Sequence, residues 1–250
     1  KYSIHDRPEE MGVYKEHLKI PGYPHCCSGL KLDQRGLLAR LWSEENERVH
    51  RYIVPYYWRG SIFTASVCTP DFCLKTVLLD CLHGLCALHE QHMAHLDVKL
   101  ENMLVTNDKR GVLCDYEMAM PIGEMAPHRI GTLFAMPPER AKHYRDQSIV
   151  SYVHAAWDVW AFGVAVYEAT SKKEFMTADS NKEHLASVCS VQIMEKKIAD
   201  LQVDEQQTEL HTLLSCCLAV NPAERWPSER LLRHSYWAPI TTALVSQGPS

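Results

Sequence analysis

The chain lacks several patterns that would settle a function class at once. No Asn-x-Ser/Thr acceptor occurs, since Asn221 precedes Pro222, and this weakly disfavours a glycosylated surface protein. None of the ten cysteines stands in C-x-x-C spacing, so a zinc ribbon is disfavoured. No run approaches the roughly 18 uninterrupted apolar residues of a membrane span. No basic excess exists to meet nucleic acid or an anionic membrane, because the net charge is −5 and the pI about 6.3. Internal repeats and low-complexity tracts are absent as well. The opening Lys1-Tyr2-Ser3-Ile4-His5 has neither an initiator Met nor a signal-peptide pattern, which reads as a trimmed chain with any targeting segment cut away.

What is present suits a globular protein. A chain of 250 residues can bury a substantial core in one large domain or two lobes, and 46% hydrophobic with 23% charged residues is ordinary. Ten cysteines is a high count for this length. Buried apolar thiols and disulfides in an oxidising compartment are the two readings of it.

Local patterns divide the chain. Residues 1–32 are broken by Pro8, Pro21, Pro24 and Gly22, with a strand-like stretch from Gly12 to Ile20. Apolar Leu37, Leu38, Leu41 and Trp42 predict a helix over 33–48, with Asp33 as its cap. Tyr52–Trp58 and Ile62–Cys68 predict a hairpin around Arg59-Gly60-Ser61, with Pro55 demoting its first strand. Thr76–His89 carries one apolar stripe and predicts a helix. Met103–Val105 and Val112–Cys114 predict short strands about a turn at 107–111. From Val153 onward the chain reads as helices. The pattern is a small mixed α/β front and a mainly helical back.

His89-Glu90-Gln91-His92 with His95 invites a zinc-protease reading. That chemistry needs H-E-x-x-H on one helical face. Here the second histidine comes one residue early and Met93 fills its place, so the signature fails.

A different logic fits "AHLDVKLENMLV", residues 94–105. Asp97 can accept a hydroxyl proton, Lys99 can neutralise a transferring phosphoryl group, and the amide oxygen of Asn102 can help hold Mg²⁺. A second carboxylate is needed for the metal, and the expected strand–turn–strand can return Asp115 to Asn102.

These residues carry a resemblance. "HLDVKLEN" resembles the H-R-D-L-K-P-E-N catalytic loop of protein kinases, and "CDYE" sits where D-F-G belongs. "GTLFAMPPE" resembles the end of an activation segment. "WDVWAFGVAVYE" resembles the central helix of the kinase C-lobe, and "NPAERWPSERLLRHSYW" its closing segment. Order and spacing match over residues 76–237, while the first 60 residues match thinly. The resemblance implies an α+β, bilobal protein-kinase-like fold, with a reduced β-rich N-lobe over 1–68 and a mainly helical C-lobe over 69–250. It implies Asp97 as catalytic base, Lys99 at the γ-phosphate, Thr132 bonded near both, and Asn102 and Asp115 as Mg²⁺ ligands. It implies ATP as nucleotide, with Lys15, Lys19 and Cys68 as candidates to contact it. Glu139 with Arg225 would form a buried ion pair, and Asp158 would brace the catalytic loop; both hold the fold whether or not it catalyses. Lys99 with Thr132 resembles Ser/Thr rather than Tyr kinases.

The departures matter equally. Kinases clamp ATP under G-x-G-x-x-G, and Gly12, Gly22, Gly29 and Gly36 lie too far apart to supply it. Gln34 falls near the position of the helical Glu that should pair with the lysine, and a Gln cannot form that ion pair. Glu117 replaces the glycine of D-F-G and adds a carboxylate beside Asp115. Leu96 replaces the Arg that normally receives a phosphorylated activation loop. No Ser, Thr or Tyr lies between Glu117 and Gly131, which agrees: activation-loop phosphorylation is not the switch. These losses point to a pseudokinase that scaffolds or regulates a protein partner. The intact Asp97, Lys99, Asn102 and Asp115 keep an atypical active Ser/Thr kinase, binding Mg-ATP and a protein substrate, as the alternative. A reduced N-lobe without a glycine loop is similar to the with-no-Gly-loop kinases of apicomplexan parasites, which include the bradyzoite pseudokinase. That resemblance implies secretion into a vacuolar or cyst-wall space and a disulfide, against a cytoplasmic alternative.

Overall fold

Leu78, Leu82, Leu85 and Leu88 recur three or four residues apart, the spacing that puts side chains on one helical face. They form the buried stripe of helix α1, Leu74–Glu90. The structure, a computed structural model, describes residues 40–44, 47–50, 59–64, 73–201 and 208–238. Three two-stranded antiparallel ladders and six further helices accompany α1 among those residues.

Strands β1 (Arg40–Glu44) and β2 (Glu47–His50) pair with Glu44 opposite Glu47. The helix expected over 33–48 is therefore corrected to a hairpin in its described part. Leu41 and Trp42 suit a helical stripe and a strand pair alike, and so short an apolar run does not separate the two. The strand expected from Ile62 is corrected too: Ile62–Thr64 is a helical turn, closed by the Thr64 N–H on the Ser61 carbonyl at 3.0 Å. The Thr64 hydroxyl bonds the same carbonyl at 3.1 Å, the local competition by which Thr pulls backbone out of a ladder. The rest of the expected 51–68 hairpin lies outside the described residues. So do Lys15, Lys19, Gln34 and Cys68.

Behind α1 the chain turns through β3 (Met93–Ala94) into the 95–102 loop, then β4 (Met103–Val105) and β5 (Gly111–Leu113). Met103 faces Leu113 and Val105 faces Gly111, the expected strand–turn–strand. Buried Asp80 on α1 fastens the turn, accepting from Arg110 at 2.7 and 2.6 Å and from the Gly111 N–H at 2.9 Å. Residues 60–62 sit on the same unit: Ser61 bridges Leu104, and Ile62 is 1% exposed in the main core.

The core is organised by helix α3, Ala155–Ser171, in which Trp157 to Tyr167 are buried without a break. A helix apolar all round belongs at the centre of a domain. Helices α2 (Pro138–Arg145), α4 (Asn181–Cys189), α5 (Val191–Ala199), α6 (Thr208–Cys217) and α7 (Ser228–Leu231) complete the lobe. Gly163 lets α6 approach α3: a β-carbon there would stand 2.6 Å from Cβ of Cys217. The class is thus α+β and mostly helical, as expected.

Cys73, Cys86, Cys189, Cys216 and Cys217 are free thiols. Burial pushes Cys86 up to about 11, so it behaves as a small apolar side chain with a weak contact to Glu90. The disulfide expectation is corrected for these five. Cys26, Cys27 and Cys68 lie outside the described residues.

Candidate functional site

The 95–102 loop is held from below by one carboxylate. Asp158 on α3 accepts from the His95 N–H at 2.7 Å, the Leu96 N–H at 2.8 Å and His89 Nε2 at 3.0 Å. Those bonds hold Leu96 at φ +66°, a left-handed conformation that costs a non-glycine residue ~1–3 kcal/mol. His89 also reaches Ser228 at 2.8 Å, so the first of the histidines that suggested zinc is engaged in fold contacts.

His95 is fully buried, and its tautomer follows from its partners. The Asp97 N–H can only donate, at 3.3 Å to Nδ1, and the Cys114 carbonyl can only accept, at 2.9 Å from Nε2. The ring is therefore neutral with its proton on Nε2, and burial, the largest influence on it, pushes its pKa down in agreement.

Asp97, Lys99, Asn102 and Thr132 come together as one hydrogen-bonded set. Lys99 Nζ donates to Asp97 Oδ2 at 2.7 Å and to Thr132 Oγ1 at 3.0 Å. Thr132 Oγ1 donates to Asp97 Oδ1 at 2.6 Å. Asn102 Nδ2 donates to the Asp97 carbonyl at 2.8 Å and to Oδ2 at 3.1 Å. Burial pushes the Asp97 carboxyl up. The bonds from Lys99 and Thr132, the Lys99 charge and the Asn102 amide outweigh it and hold the group below the usual carboxylate range. The carboxylate is ionised and fixed in orientation, the state a proton acceptor requires.

Asp115 follows β5. The Cys114 N–H bonds the Asn102 carbonyl at 2.9 Å, which brings the expected second metal ligand back to the first. Asp115 itself sits at φ 65°, ψ 66°, a second strained non-glycine residue at the site. Next to it Tyr116 is buried, its hydroxyl on the Leu113 carbonyl at 3.0 Å and its ring 4.9 Å from His95. Glu117 falls in the short 3₁₀ turn Tyr116–Met118, and the expectation about its side chain lies outside the described residues.

The donor set can be tested against Mg²⁺. Both bonds of the Asn102 amide nitrogen go to Asp97, which fixes the amide and leaves Oδ1 as the oxygen donor. Asp115 adds a carboxylate. One carboxylate and one amide oxygen are hard donors of the kind Mg²⁺ takes when phosphates and water fill its other positions. The residues fit, and a bound Mg²⁺ would supply charge neutralisation of the nucleotide phosphates.

Leu96, which replaces the expected arginine, has its own surroundings. With Met120 and Ile122 it packs against a small buried cluster of Ala94, Ala126, Val153 and Trp157. The segment after β6 (Met120–Pro121) is stitched to residues 151–153: Gly123 N–H to the Val153 carbonyl at 2.9 Å, Ala126 to Ser151 at 2.9 Å, Val153 back to Glu124 at 2.8 Å. Sequence reading saw only a missing charge; the apolar spacing of Met120, Ile122 and Ala126 was its one signal.

Gly131 lies at φ +82°, and a β-carbon there would stand 2.4 Å from the Leu96 carbonyl oxygen. Gly131→Ala is expected to destabilise the domain by ~1–3 kcal/mol and to displace the neighbouring Thr132 from Asp97. A melting curve combined with a transfer or nucleotide assay checks both halves.

Glu139 and Arg225 form the expected ion pair, bidentate at 2.6 and 2.8 Å, with the Arg225 side chain fully buried. Arg225 also donates to the carbonyls of Ala219, Ala156 and Val220, and stands 4.9 Å over the Trp160 ring.

A loop with an ionised, oriented aspartate, a lysine bridged to a threonine and an Asn/Asp pair of oxygen donors is the residue set that phosphoryl-transfer chemistry calls for. Comparison agrees: the protein kinase domain family matches residues 37–237. The chain is 29% identical over 206 residues to mitogen-activated protein kinase kinase kinase 20 of Arabidopsis thaliana, covering 77% of this chain and 57% of that protein. It is 23% identical over 251 residues to serine/threonine-protein kinase SKS1 of Saccharomyces cerevisiae, covering 92% and 48%. With serine/threonine-protein kinase Nek4 of Mus musculus it shares 33% over 155 residues, covering 60% and 18%. The chain spans about half the length of the first two relatives. It belongs to the protein kinase family.

Proposed function

We propose that the domain transfers the γ-phosphoryl group of Mg-ATP to a serine or threonine of a protein. The observation that carries this reading is the closed Asp97–Lys99–Thr132 arrangement, with Asp97 ionised. The three bond chiefly to one another, whereas Asp158 and Arg225 bond the backbone of other elements. In this mechanism Asp97 receives the acceptor hydroxyl proton, and Lys99 offsets phosphoryl charge while Thr132 keeps both in register. Lys15, Lys19 and Cys68 remain the proposed nucleotide contacts. The relatives' printed names, serine/threonine-protein kinases, support the acceptor class.

A pseudokinase acting as scaffold or regulator is the second reading. The spread of the N-terminal glycines and Glu117 in place of glycine favour it. The secreted, vacuolar compartment belongs to the same proposal, resting on the glycine-loop resemblance alone; localisation of the tagged full-length protein to the cytoplasm would overturn it.

Melting temperature against Mg²⁺ with ATP tests nucleotide binding. At about 100-fold excess over Kd, a bound nucleotide stabilises by roughly 2.7 kcal/mol, and Asp115→Ala is expected to abolish the Mg²⁺-dependent part. No shift at millimolar nucleotide would leave the scaffold reading.

A further inference from the structure

Eight large apolar side chains are exposed among the described residues, and four of them lie together: Met125 at 68%, Ile149 at 41%, Val150 at 62% and Tyr152 at 61%. Apolar side chains scattered singly on a surface need no explanation, whereas a cluster does. This cluster sits on the ribbon in which residues 123–126 run against 151–153. Met125 bridges Tyr152 in the antiparallel sense. The bonds framing that bridge run from the Ala126 N–H to the Ser151 carbonyl and from the Val153 N–H to the Glu124 carbonyl. Such a frame makes Met125 and Tyr152 a non-hydrogen-bonded pair. Their side chains then share one face, and the N–H and C=O of Tyr152 point to the far edge of the ribbon.

That edge is unpaired. Among the described residues the main chain of Tyr152 makes no hydrogen bond, nor does that of Val150, two residues earlier on the same edge. An unpaired strand edge is a template for another strand, and folded chains ordinarily guard one with a charge or a proline. Val150-Ser151-Tyr152 carries neither.

We propose that this edge pairs with the same edge of a second copy of the chain, antiparallel about a two-fold axis at Ser151. Register selects the occupant. With Ser151 opposite itself, Val150 of each copy falls opposite Tyr152 of the other, and their outward N–H and C=O groups meet as hydrogen-bonded pairs. A β-branched residue then faces an aromatic one twice, a favourable cross-strand pair. Met125 extends each row, so Met125, Tyr152 and the second copy's Val150 line up across the joint sheet. A surface that complements itself gives an isologous contact, which closes at two copies.

Charge agrees with the same occupant. The chain carries a net charge of −5, so a contact between copies is favoured where it adds no repulsion. Residues 147–153 hold no Asp, Glu, Lys or Arg. At its ends the register sets Ser148 toward His154 of the other copy. Ser148 holds the Asp146 carboxylate through its hydroxyl at 2.7 Å and its N–H at 2.9 Å, and these bonds keep that carboxyl below the usual range. His154 is exposed, and its Nδ1 accepts from the Ala156 N–H, which leaves its proton on Nε2. A fixed anion on one copy thus meets an N–H donor on the other, at both ends. So short a pairing lies below the roughly 1,200–2,000 Å² of a permanent interface, and a reversible dimer with Kd on the order of 10–100 μM is expected.

Sedimentation velocity from about 1 to about 500 μM brackets that Kd, with amide hydrogen exchange read at both ends of the range. The sedimentation coefficient is expected to rise from monomer to dimer, and the Val150 and Tyr152 amides to slow only at the higher concentration. Tyr152→Pro removes an outward N–H from each copy, two bonds in all, and should raise Kd roughly tenfold or more. Val150→Lys places a charge on the edge and should act in the same direction. Both side chains are exposed and outside the bonds of the ribbon, so melting temperatures should stay near wild type. A monomer throughout the range would overturn the proposal and leave the edge to a strand of some other protein. A dimer whose Kd neither variant changes would also overturn it, because the copies would then meet through another face. Amides already slowed at the lowest concentration would overturn it too, since the edge would be covered within one copy. The wild-type exchange pattern decides the matter even if a variant melts early.

Discussion

Asp97→Asn is expected to lower kcat for phosphoryl transfer by about 10²–10⁴-fold, the range a positioned general base contributes. The variant keeps the size of the side chain and one acceptor oxygen. What it removes is the negative charge that draws in Lys99 Nζ at 2.7 Å and the second oxygen that receives Thr132 at 2.6 Å. Mg-ATP binding, read by melting temperature, should survive, because Asn102 and Asp115 are untouched. Loss of turnover with retained binding would place Asp97 in the chemical step. Unchanged turnover would remove it from that role. The pH dependence follows in sign. The folded Asp97 titrates below a free aspartate, so it is ionised throughout neutral pH, and the acid limb of kcat/KM should lie below the ordinary carboxylate range. By linkage its stabilising contribution is complete above its unfolded pKa of about 3.9 and is lost only as pH falls through the lower folded value.

Arg225→Leu is expected to cost ~3–5 kcal/mol, the range for breaking a buried pair, which for a domain of this size is on the order of 10 °C in melting temperature. The two partners are not equivalent. Arg225 is fully buried, whereas the Glu139 side chain is 26% exposed. Removing Arg225 strips the carbonyls of Ala219, Ala156 and Val220 of a donor and takes a cation from the Trp160 face, while Glu139 turns partly to water. Glu139→Gln keeps an acceptor for the guanidinium and leaves those other contacts intact, so it is expected to cost less, about 1–3 kcal/mol. Denaturant titration of both variants orders them. A larger loss for Glu139→Gln would contradict this account of which partner is anchored.

The catalytic loop was legible in the sequence because its chemistry is local. Asp97, Lys99 and Asn102 are fixed relative to one another by five residues of backbone, and Asp115 returns through a hairpin whose strands and turn announce themselves. The helix α1 stripe was legible for the same reason. Residues 40–50 were not, since Leu41 and Trp42 satisfy two periodicities and the pairing that decides between them is non-local. Ile62 showed the same weakness, with a Thr two residues on that closes a turn instead of extending a strand. The burial of Arg140 on α2 was invisible: "PERAKHYR" has the composition of a solvated helix, and the segment laid across it, whose Pro127 and His128 carbonyls accept from the guanidinium, is encoded by no spacing within the helix. Leu96 was noticed as a substitution, but its apolar neighbours come from three separated stretches and only meet in the fold.

The stitching of residues 123–126 to 151–153, with Leu96 beneath it, has a consequence for control. A segment seated by main-chain bonds and apolar packing needs no phosphate to arrive, and none has to be removed to release it. Between Glu117 and Gly131 no hydroxyl side chain offers an upstream enzyme a place to act, so a phosphate switch would have to be built on the partner stretch, where Ser151 and the exposed Tyr152 lie.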